Sequence, residues 1–516
     1  MRLTTHCHPS LPQLAWVAVV DKVNGIVTLR HGAKVEVRDS LWIEGVWDGP
    51  FEKGDFGETD CVFGTGGRMT GESVRFVSSA STTDYLYYRT EAERVTVSNS
   101  LPLLLTTIND RLDPLQCRTY ARACDSIMNG LNDYQREMQT VKGSVRRLMY
   151  RNLEVSSDKI LETEKRMPPR FHHFEDYRQY LRERYASIVA NARDGARTWP
   201  LPILSTQSKG YDSTAVNALA APYGIDRVFT VTQAKSTAHL AHQQTGPLQD
   251  DDGSAICDVL GLRYTQLARD VYTRNFDDES LFYTALHLSQ DANLLGVKPH
   301  VSTVSLLLTG TLGEIWYPRS TSGDRAHVDT DIRRWDLGGH GLSEWRLVVG
   351  LIHLPLPYIG ARRKADILAM TESPEMNPWR MWTKYDRPIP RRIAEEAGVP
   401  RQLFGQSKLG SVVLFCHPAV PYGEGLRRSF FASLVQQHLL SSLEVRLWPL
   451  VRWWNTTMQV KTARRFALLH YGERAVSKLL RRPYKFPLLW MKLEGALFCF
   501  CVNRTAEQYK KSVIPY

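Results

Sequence analysis

Short alternating runs of apolar and polar residues fill residues 1–113, broken by turns at Val23-Asn24-Gly25, Trp47-Asp48-Gly49 and Gly64-Thr65-Gly66-Gly67. This pattern predicts a β-rich region, with the clearest strands at 74–78 and 95–98 and another at 86–88. The apolar run 14–20 is stopped by Asp21-Lys22 and preceded by only one firm positive charge, Arg2, so it predicts a strand rather than a leader peptide. Over 114–175 the pattern turns helical, a solvated connector bearing Lys142, Arg146 and Arg147. Pro168-Pro169 and His172-His173 mark a linker, and 177–191 predicts an amphipathic helix.

Between 176 and 420 the rhythm changes. An apolar run at 201–205 leads into a small polar loop and a helix over 214–219; a second strand follows at 227–232. A helix starting at Asp250-Asp251-Asp252 and running over 255–261 precedes a third strand at 262–267. Repeated strand–helix–strand units at this spacing predict a parallel sheet with crossover helices. Another apolar strand begins at Val304 and empties into Thr309-Gly310-Thr311-Leu312-Gly313-Glu314. Residues 353–410 read as mixed helix and loop, broken by Pro355, Pro357, Pro388 and Pro390, with a helix over 389–397. From 426 onward the chain is helical, with Trp448, Trp453, Trp454, Tyr484, Phe486, Trp490, Phe498 and Phe500 read first as packed core. The fold class is therefore α/β with α+β: β-rich 1–113, connector 114–175, parallel-sheet domain 176–420 and helical extension 421–516.

Composition adds bounds. At 516 residues, with 43% hydrophobic and 23% charged residues, the chain can bury several cores. No uninterrupted apolar run approaches the ~18 residues of a membrane-spanning helix. Eight scattered cysteines form no C-x-x-C pair, which argues against a zinc site or a secreted disulfide framework and fits a reducing cytoplasm. The net charge of +11 is concentrated after residue 420, where 16 Lys and Arg face 5 Glu and no Asp. Such a region suits nucleic acid, an anionic membrane surface or an acidic partner.

The candidate chemistry lies in Ser208-Lys209-Gly210-Tyr211-Asp212-Ser213. Gly210 lets backbone approach a ligand, the serine hydroxyls can donate hydrogen bonds, and amides at the start of the next helix point at an anion. That describes a pyrophosphate cradle, although G-x-x-x-x-G-K-[ST] is missing, and Asp212 suits Mg²⁺ better than bare phosphate. A surface turn capping a helix is the plain alternative. Ligands of open α/β sheets bind at the carboxyl ends of strands, so the 309–314 turn should face this loop.

The Ser-x-Gly-x-Asp-Ser pattern resembles the PP-loop of the ATP pyrophosphatases, most closely that of the asparagine synthetase group. Gly54-Asp55-Phe56, Tyr85-Leu86-Tyr87-Tyr88 and the segment 95–102 are similar, in degenerate form, to that family's amino-terminal amidotransferase domain. Active members carry a catalytic cysteine directly after the initiator methionine; here Arg2 stands there and Cys7 is too far in, so no glutaminase half-reaction is expected. The resemblance implies an Mg-ATP-dependent ligase that adenylates a small-molecule or peptide carboxylate, releases pyrophosphate and forms an amide with ammonia or an amine. Nitrogen would come from free ammonia, a substrate amine or a separate glutaminase partner. It implies that Ser208, Lys209, Gly210, Tyr211, Asp212, Ser213, Val231, Thr309 and Gly310 bind ATP, and that Asp212 and Glu314 hold Mg²⁺. Lys408 would act with Glu314 in catalysis by neutralising charge, its alternative being a solvated loop lysine. Thr311 departs from the family's carboxylate, which puts aspartate amidation in question. The rivals are a PP-loop RNA-modifying enzyme and a nucleotide-binding scaffold without catalysis.

Overall fold

The computed structural model describes residues 1–236, 248–268, 277–285, 289–290, 292–318, 342–383, 385–407, 409–410, 413–414, 420–450, 462–484 and 493–512. Alternating burial builds the first layers from β1 (Arg2–Cys7), β2 (Trp16–Asp21), β3 (Ile26–His31), β4 (Glu36–Arg38), β5 (Leu41–Trp47), β6 (Val62–Thr70), β7 (Ser73–Val77), β8 (Leu86–Thr90), β9 (Arg94–Ser98), β10 (Glu137–Thr140), β11 (Gly143–Leu148), β12 (Arg151–Val155) and β13 (Ile160–Glu164). They form one sheet in the order β1-β3-β2-β9-β8-β11-β10 and another in the order β13-β12-β7-β6-β5-β4. In β2, Trp16, Ala18 and Val20 enter the interior between the sheets, while Val17 joins the core on the outer side. The interior is filled by rings: Trp16 stacks on Phe76 with centroids 6.2 Å apart, and Trp42 meets each edge-on at 5.7 Å. Helices α1 (Leu101–Thr107) and α2 (Cys117–Asp125) pack on the first sheet.

The β-rich region thus runs to Glu164: within 114–175, where a helical connector is expected, the short helix α2 is followed by the four strands β10 to β13. Its charges misled. On β11 the Arg147 guanidinium turns inward, donates to the Ala123 carbonyl at 2.7 Å and lies over the rings of Tyr85 and Tyr134. Arg146 faces the other way and pairs with Glu162 at 3.3 Å. A two-residue alternation of this kind resembles a solvated helix face when the inward arginine is counted as exposed.

Helix α3 (Phe174–Ala192) follows, its start closed by the Asp176 carboxylate, which accepts the amides of His172 and His173 at 3.1 Å each. The histidine pair is part of a helix cap. Next come β14 (Ile203–Gln207), α4 (Tyr211–Ala220), β15 (Arg227–Val231), β16 (Gln233–Ser236), β17 (Leu248–Asp250), α5 (Ser254–Val259), β18 (Tyr264–Leu267), α6 (Glu279–Phe282), β19 (Ser289–Gln290), β20 (Ser305–Thr309), α7 (Ser343–Val349), β21 (Leu351–Pro355), α8 (Lys364–Glu372), α9 (Pro388–Glu396), β22 (Leu409–Gly410) and β23 (Val413–Leu414). Five of these strands form an all-parallel sheet in the order β18-β15-β14-β20-β21. The run Leu306–Leu308 is apolar without alternation because both faces are covered: Leu306 and Leu308 join the large core, and Leu307 packs on the opposite side with Trp345 of α7.

The stretch expected to be helix and loop overlaps a fifth strand, β21, and Pro355 does not break it but closes this edge strand, where a missing N–H is tolerated. The helix expected to start at the aspartate trio begins at Ser254, with Gly253 as its N-cap, because the three carboxylates serve the loops ahead of it.

The C-terminal region holds α10 (Glu424–Gln436), α11 (Ser442–Arg446), α12 (Thr462–Leu480) and α13 (Glu494–Ser512). Helix α13 packs on α1 and α2. Asn503 exchanges hydrogen bonds of 2.9 and 3.0 Å with the Leu112 backbone, and Thr106 donates to the Ala506 carbonyl at 2.8 Å. Aromatic packing holds for Trp448 on Phe431, Phe498 on Tyr120 and Phe500 on Phe430, with centroids 5.6, 5.9 and 5.5 Å apart. Trp453, Trp454, Phe486 and Trp490 lie outside the described residues. No described helix is long and apolar enough to cross a membrane.

The regions are joined by buried charge. Arg346 of α7 donates to Glu44 of β5 at 2.8 and 3.1 Å and to Asp84 at 2.5 Å. Two residues earlier, Glu344 accepts from Ser100 at 2.9 Å and from Tyr509 of α13 at 2.6 Å. Burial pushes the Glu344 carboxyl up to about 7, and burial pulls the Lys165 ammonium, which donates to Asn152 at 2.7 Å, down to about 7. These groups act with opposite sign. Folded Glu344 holds its proton more tightly than in the unfolded chain, so its contribution to stability is present below ~4.3 and lost as pH rises to about 7. Folded Lys165 holds its proton less tightly, so stability rises from about 7 towards ~10.4. Denaturant unfolding across pH should show the fall flattened in Glu344→Gln and the rise flattened in Lys165→Met.

Candidate functional site

β14 is the central strand, and the strand order reverses beside it: β15 and β18 lie on one side, β20 and β21 on the other. The crevice at the carboxyl ends of strands at such a reversal is where open α/β sheets bind ligands. The loop Ser208-Lys209-Gly210 leaves β14 at that end, and α4 starts with Gly210 as its N-cap. The amides of Tyr211, Asp212 and Ser213 open the helix and have no intrahelical carbonyl to bond. The loop is braced from behind, with Gln207 donating to Thr214 at 3.0 Å, Asn217 donating to Gln207 at 2.7 Å, and Ser205 donating to Asn217 at 2.6 Å. In front, the Ser208 and Ser213 hydroxyls lie 2.9 Å apart, and the Gly210 amide donates to the Ser208 hydroxyl at 3.1 Å.

The acidic trio grips this loop. Asp251 accepts the Lys209 amide at 2.9 Å, and Asp250 pairs with the Lys209 ammonium. Asp252 accepts from Thr230 at 3.3 Å and from Gln266 at 2.7 Å, tying together the ends of β15 and β18 beside the buried Val231. Tyr211 points into core, against Tyr385 at 4.9 Å and Phe404 at 5.7 Å, with its hydroxyl bonded by Arg391. Its backbone amide is what it offers a ligand. Gly405, at φ +67°, donates its amide to the Lys209 carbonyl at 2.8 Å, and a Cβ there would lie 2.3 Å from the Tyr211 ring. Lys408 lies outside the described residues.

Asp212 is the focus. The Tyr317 hydroxyl donates to its Oδ2 at 2.9 Å, and its Oδ1 is buried with no partner among the described residues. The turn after β20 presses against it: a Cβ on Gly313 would lie 2.2 Å from the Asp212 carboxyl carbon, and one on Gly310 2.9 Å from Asp212 Cβ. Thr309 shares a 2.8 Å hydrogen bond with His353 Nε2 and bonds the Thr311 hydroxyl at 3.1 Å. Glu314, half-buried, follows Gly313 directly. The loop at 208–213 and the turn at 309–314 are therefore neighbours, as their positions at strand ends require.

No protein-family model matches the chain, and no curated protein matches it.

Three residues at this site carried no sequence signal. Tyr317 ends the segment that supplies the turn, His353 sits on the unforeseen β21, and Arg387 lies between Asp386 and Pro388 in a proline-broken stretch. The Arg387 guanidinium is 3.3 Å from the Tyr317 ring centroid and 5.1 Å from that of Tyr385. Burial, Asp212 and Tyr385 hold the Tyr317 phenol protonated against the pull of Arg387. A buried, unpartnered carboxylate oxygen fits a cation. Among the described residues no group of three or more His, Cys, Asp or Glu could hold a metal. Mg²⁺ commonly takes one or two carboxylates and completes its shell with phosphate oxygens and water, so a single carboxylate such as Asp212 is compatible with it.

Proposed function

We propose that the chain is an asparagine-synthetase-like carbon–nitrogen ligase that uses Mg-ATP to adenylate a carboxylate, releases pyrophosphate and joins the acyl group to ammonia or an amine. The observation that supports it most is the placement of the polar glycine loop at the strand-order reversal, with the orphaned Asp212 oxygen against the Gly310–Gly313 turn. In this reading the two-sheet region is an amidotransferase-like domain of the Ntn type, and the five-stranded region is a PP-loop synthetase domain. The amides of Tyr211, Asp212 and Ser213 and the hydroxyls of Ser208 and Ser213 bind the departing pyrophosphate oxygens. Thr309 and Gly310 border the same crevice, and Val231 lies at its far wall. Asp212 and Glu314 hold Mg²⁺, which when bound neutralises charge on the phosphates. Arg387, over the ring of the Tyr317 that bonds Asp212, adds fixed positive charge, a part also given to Lys408.

The test is release of AMP and pyrophosphate from Mg-ATP over a panel of carboxylic acids with ammonia as nitrogen source. Formation of ADP and phosphate would overturn the reading. Glutamine is expected not to replace ammonia, measured as glutamate formed. Cys61, a buried thiol of the two-sheet region, is held protonated by burial and by Asp48 and Asp60, and Cys7 stands exposed on the edge strand β1. One observation favours a nucleotide-binding scaffold instead: the Ser208–Ser213, Lys209–Asp250 and Tyr317–Asp212 contacts close the loop on itself. Tight ATP binding with no pyrophosphate release for any acid would select that reading.

A further inference from the structure

The exposed apolar residues of the C-terminal region gather where its basic charge is highest. Leu443, Leu447 and Leu450 are 65%, 38% and 61% exposed, and Leu479 is 84% exposed beside the exposed Leu480. The two groups are neighbours: the Tyr484 hydroxyl donates to Glu444 at 3.3 Å, and the Tyr484 amide donates to Ser477 at 2.9 Å, which folds the end of α12 back beside α11. Arg446, Lys478, Arg481 and Arg482 are exposed on the same two segments. The nearby acids are turned to other uses, Glu444 as the capping partner of Ser441 and Glu473 in the buried interior.

We propose that this leucine and arginine surface docks on an anionic lipid bilayer, independently of the ligase reading. Charge complementarity names the occupant. Arginine and lysine at this density pair with headgroup phosphates, while leucines exposed to this degree gain only where an apolar layer lies just beneath the charge. A single-stranded nucleic acid offers the phosphates without that layer, and its bases stack on aromatic rings rather than on leucine.

The experiment is sedimentation of the full chain with phosphatidylcholine vesicles, with and without phosphatidylserine, at low and high salt. Binding is expected with the anionic vesicles, weakened by salt, and near background with neutral ones. Leu443→Ser combined with Leu479→Ser, and separately Arg481→Glu combined with Arg482→Glu, should each lower bound protein at least about tenfold with melting temperature unchanged. All four positions are exposed, so folding is not at stake. Equal binding to neutral vesicles, or leucine variants that bind as wild type, would overturn the proposal. Retention on single-stranded RNA that the leucine variants leave intact and that displaces vesicles would also overturn it, in favour of a polyanion site.

Discussion

Asp212→Asn is expected to lower Mg-ATP-dependent pyrophosphate release by at least about 100-fold while leaving the fold intact. Asparagine keeps an oxygen for the Tyr317 hydroxyl, which otherwise loses a buried acceptor, and it fills the same space against Gly313. What it removes is the charge on the orphaned Oδ1, the feature that fits a cation. ATP affinity measured by calorimetry should fall as well, because a metal–phosphate complex is then left with less compensated charge. Tyr317→Phe separates the two halves of the contact, since it deletes the donor and keeps the carboxylate; release should persist. An Asp212→Asn protein that releases pyrophosphate at the wild-type rate would remove Asp212 from the site.

Arg346→Met should destabilise the protein by about 3–5 kcal/mol, the cost of leaving buried carboxylates without their cation. The side chains of Arg346, Glu44 and Asp84 are each no more than 2% exposed. Burial opposes the guanidinium charge, and the carboxylates of Asp84 and Glu44 overcome that penalty. The loss is large beside the ~5–15 kcal/mol that holds a typical domain together. The midpoint of denaturant unfolding is the measurement. A triple variant, Arg346→Met with Glu44→Gln and Asp84→Asn, should recover much of the loss, because neutral partners have less to desolvate. Thr65 donates to Glu44 at 2.7 Å and Asn99 at 3.2 Å, so Gln at 44 still finds hydrogen bonds.

Local pattern revealed what is locally determined. The strands at 203–207, 227–231 and 305–309 stand out by the non-alternating apolar runs Ile203-Leu204, Val228-Phe229 and Leu306-Leu307-Leu308, which a sheet covered on both faces allows. The loop at 208–213 was legible because its chemistry is contiguous. The strands between Glu137 and Glu164 were not, because an arginine placed inward under two tyrosines reads as a surface charge until its partners are known. Tyr317 reaches Asp212 from 105 positions away, Arg387 lies over the Tyr317 ring from a separate proline-broken stretch, and no spacing rule links such residues. The acidic trio is visible as a group in the sequence, but the task of Asp250 and Asp251 in holding Lys209 depends on a β14–β15 neighbourhood that exists only after the sheet assembles.

The clasp of α13 on α1 also constrains how the protein is made. Thr106 and Ala506, which share a hydrogen bond, are 400 positions apart. At ribosomal rates of ~5–20 residues per second, roughly 20–80 s separate the synthesis of the two helices. During that interval the surface of α1 and α2 destined for α13 is bare, and Glu344, once made, still lacks the Tyr509 hydroxyl. Nascent chains stalled before residue 494 should therefore engage chaperones through the α1–α2 face, and release from them should coincide with emergence of Glu494–Ser512 from the exit tunnel.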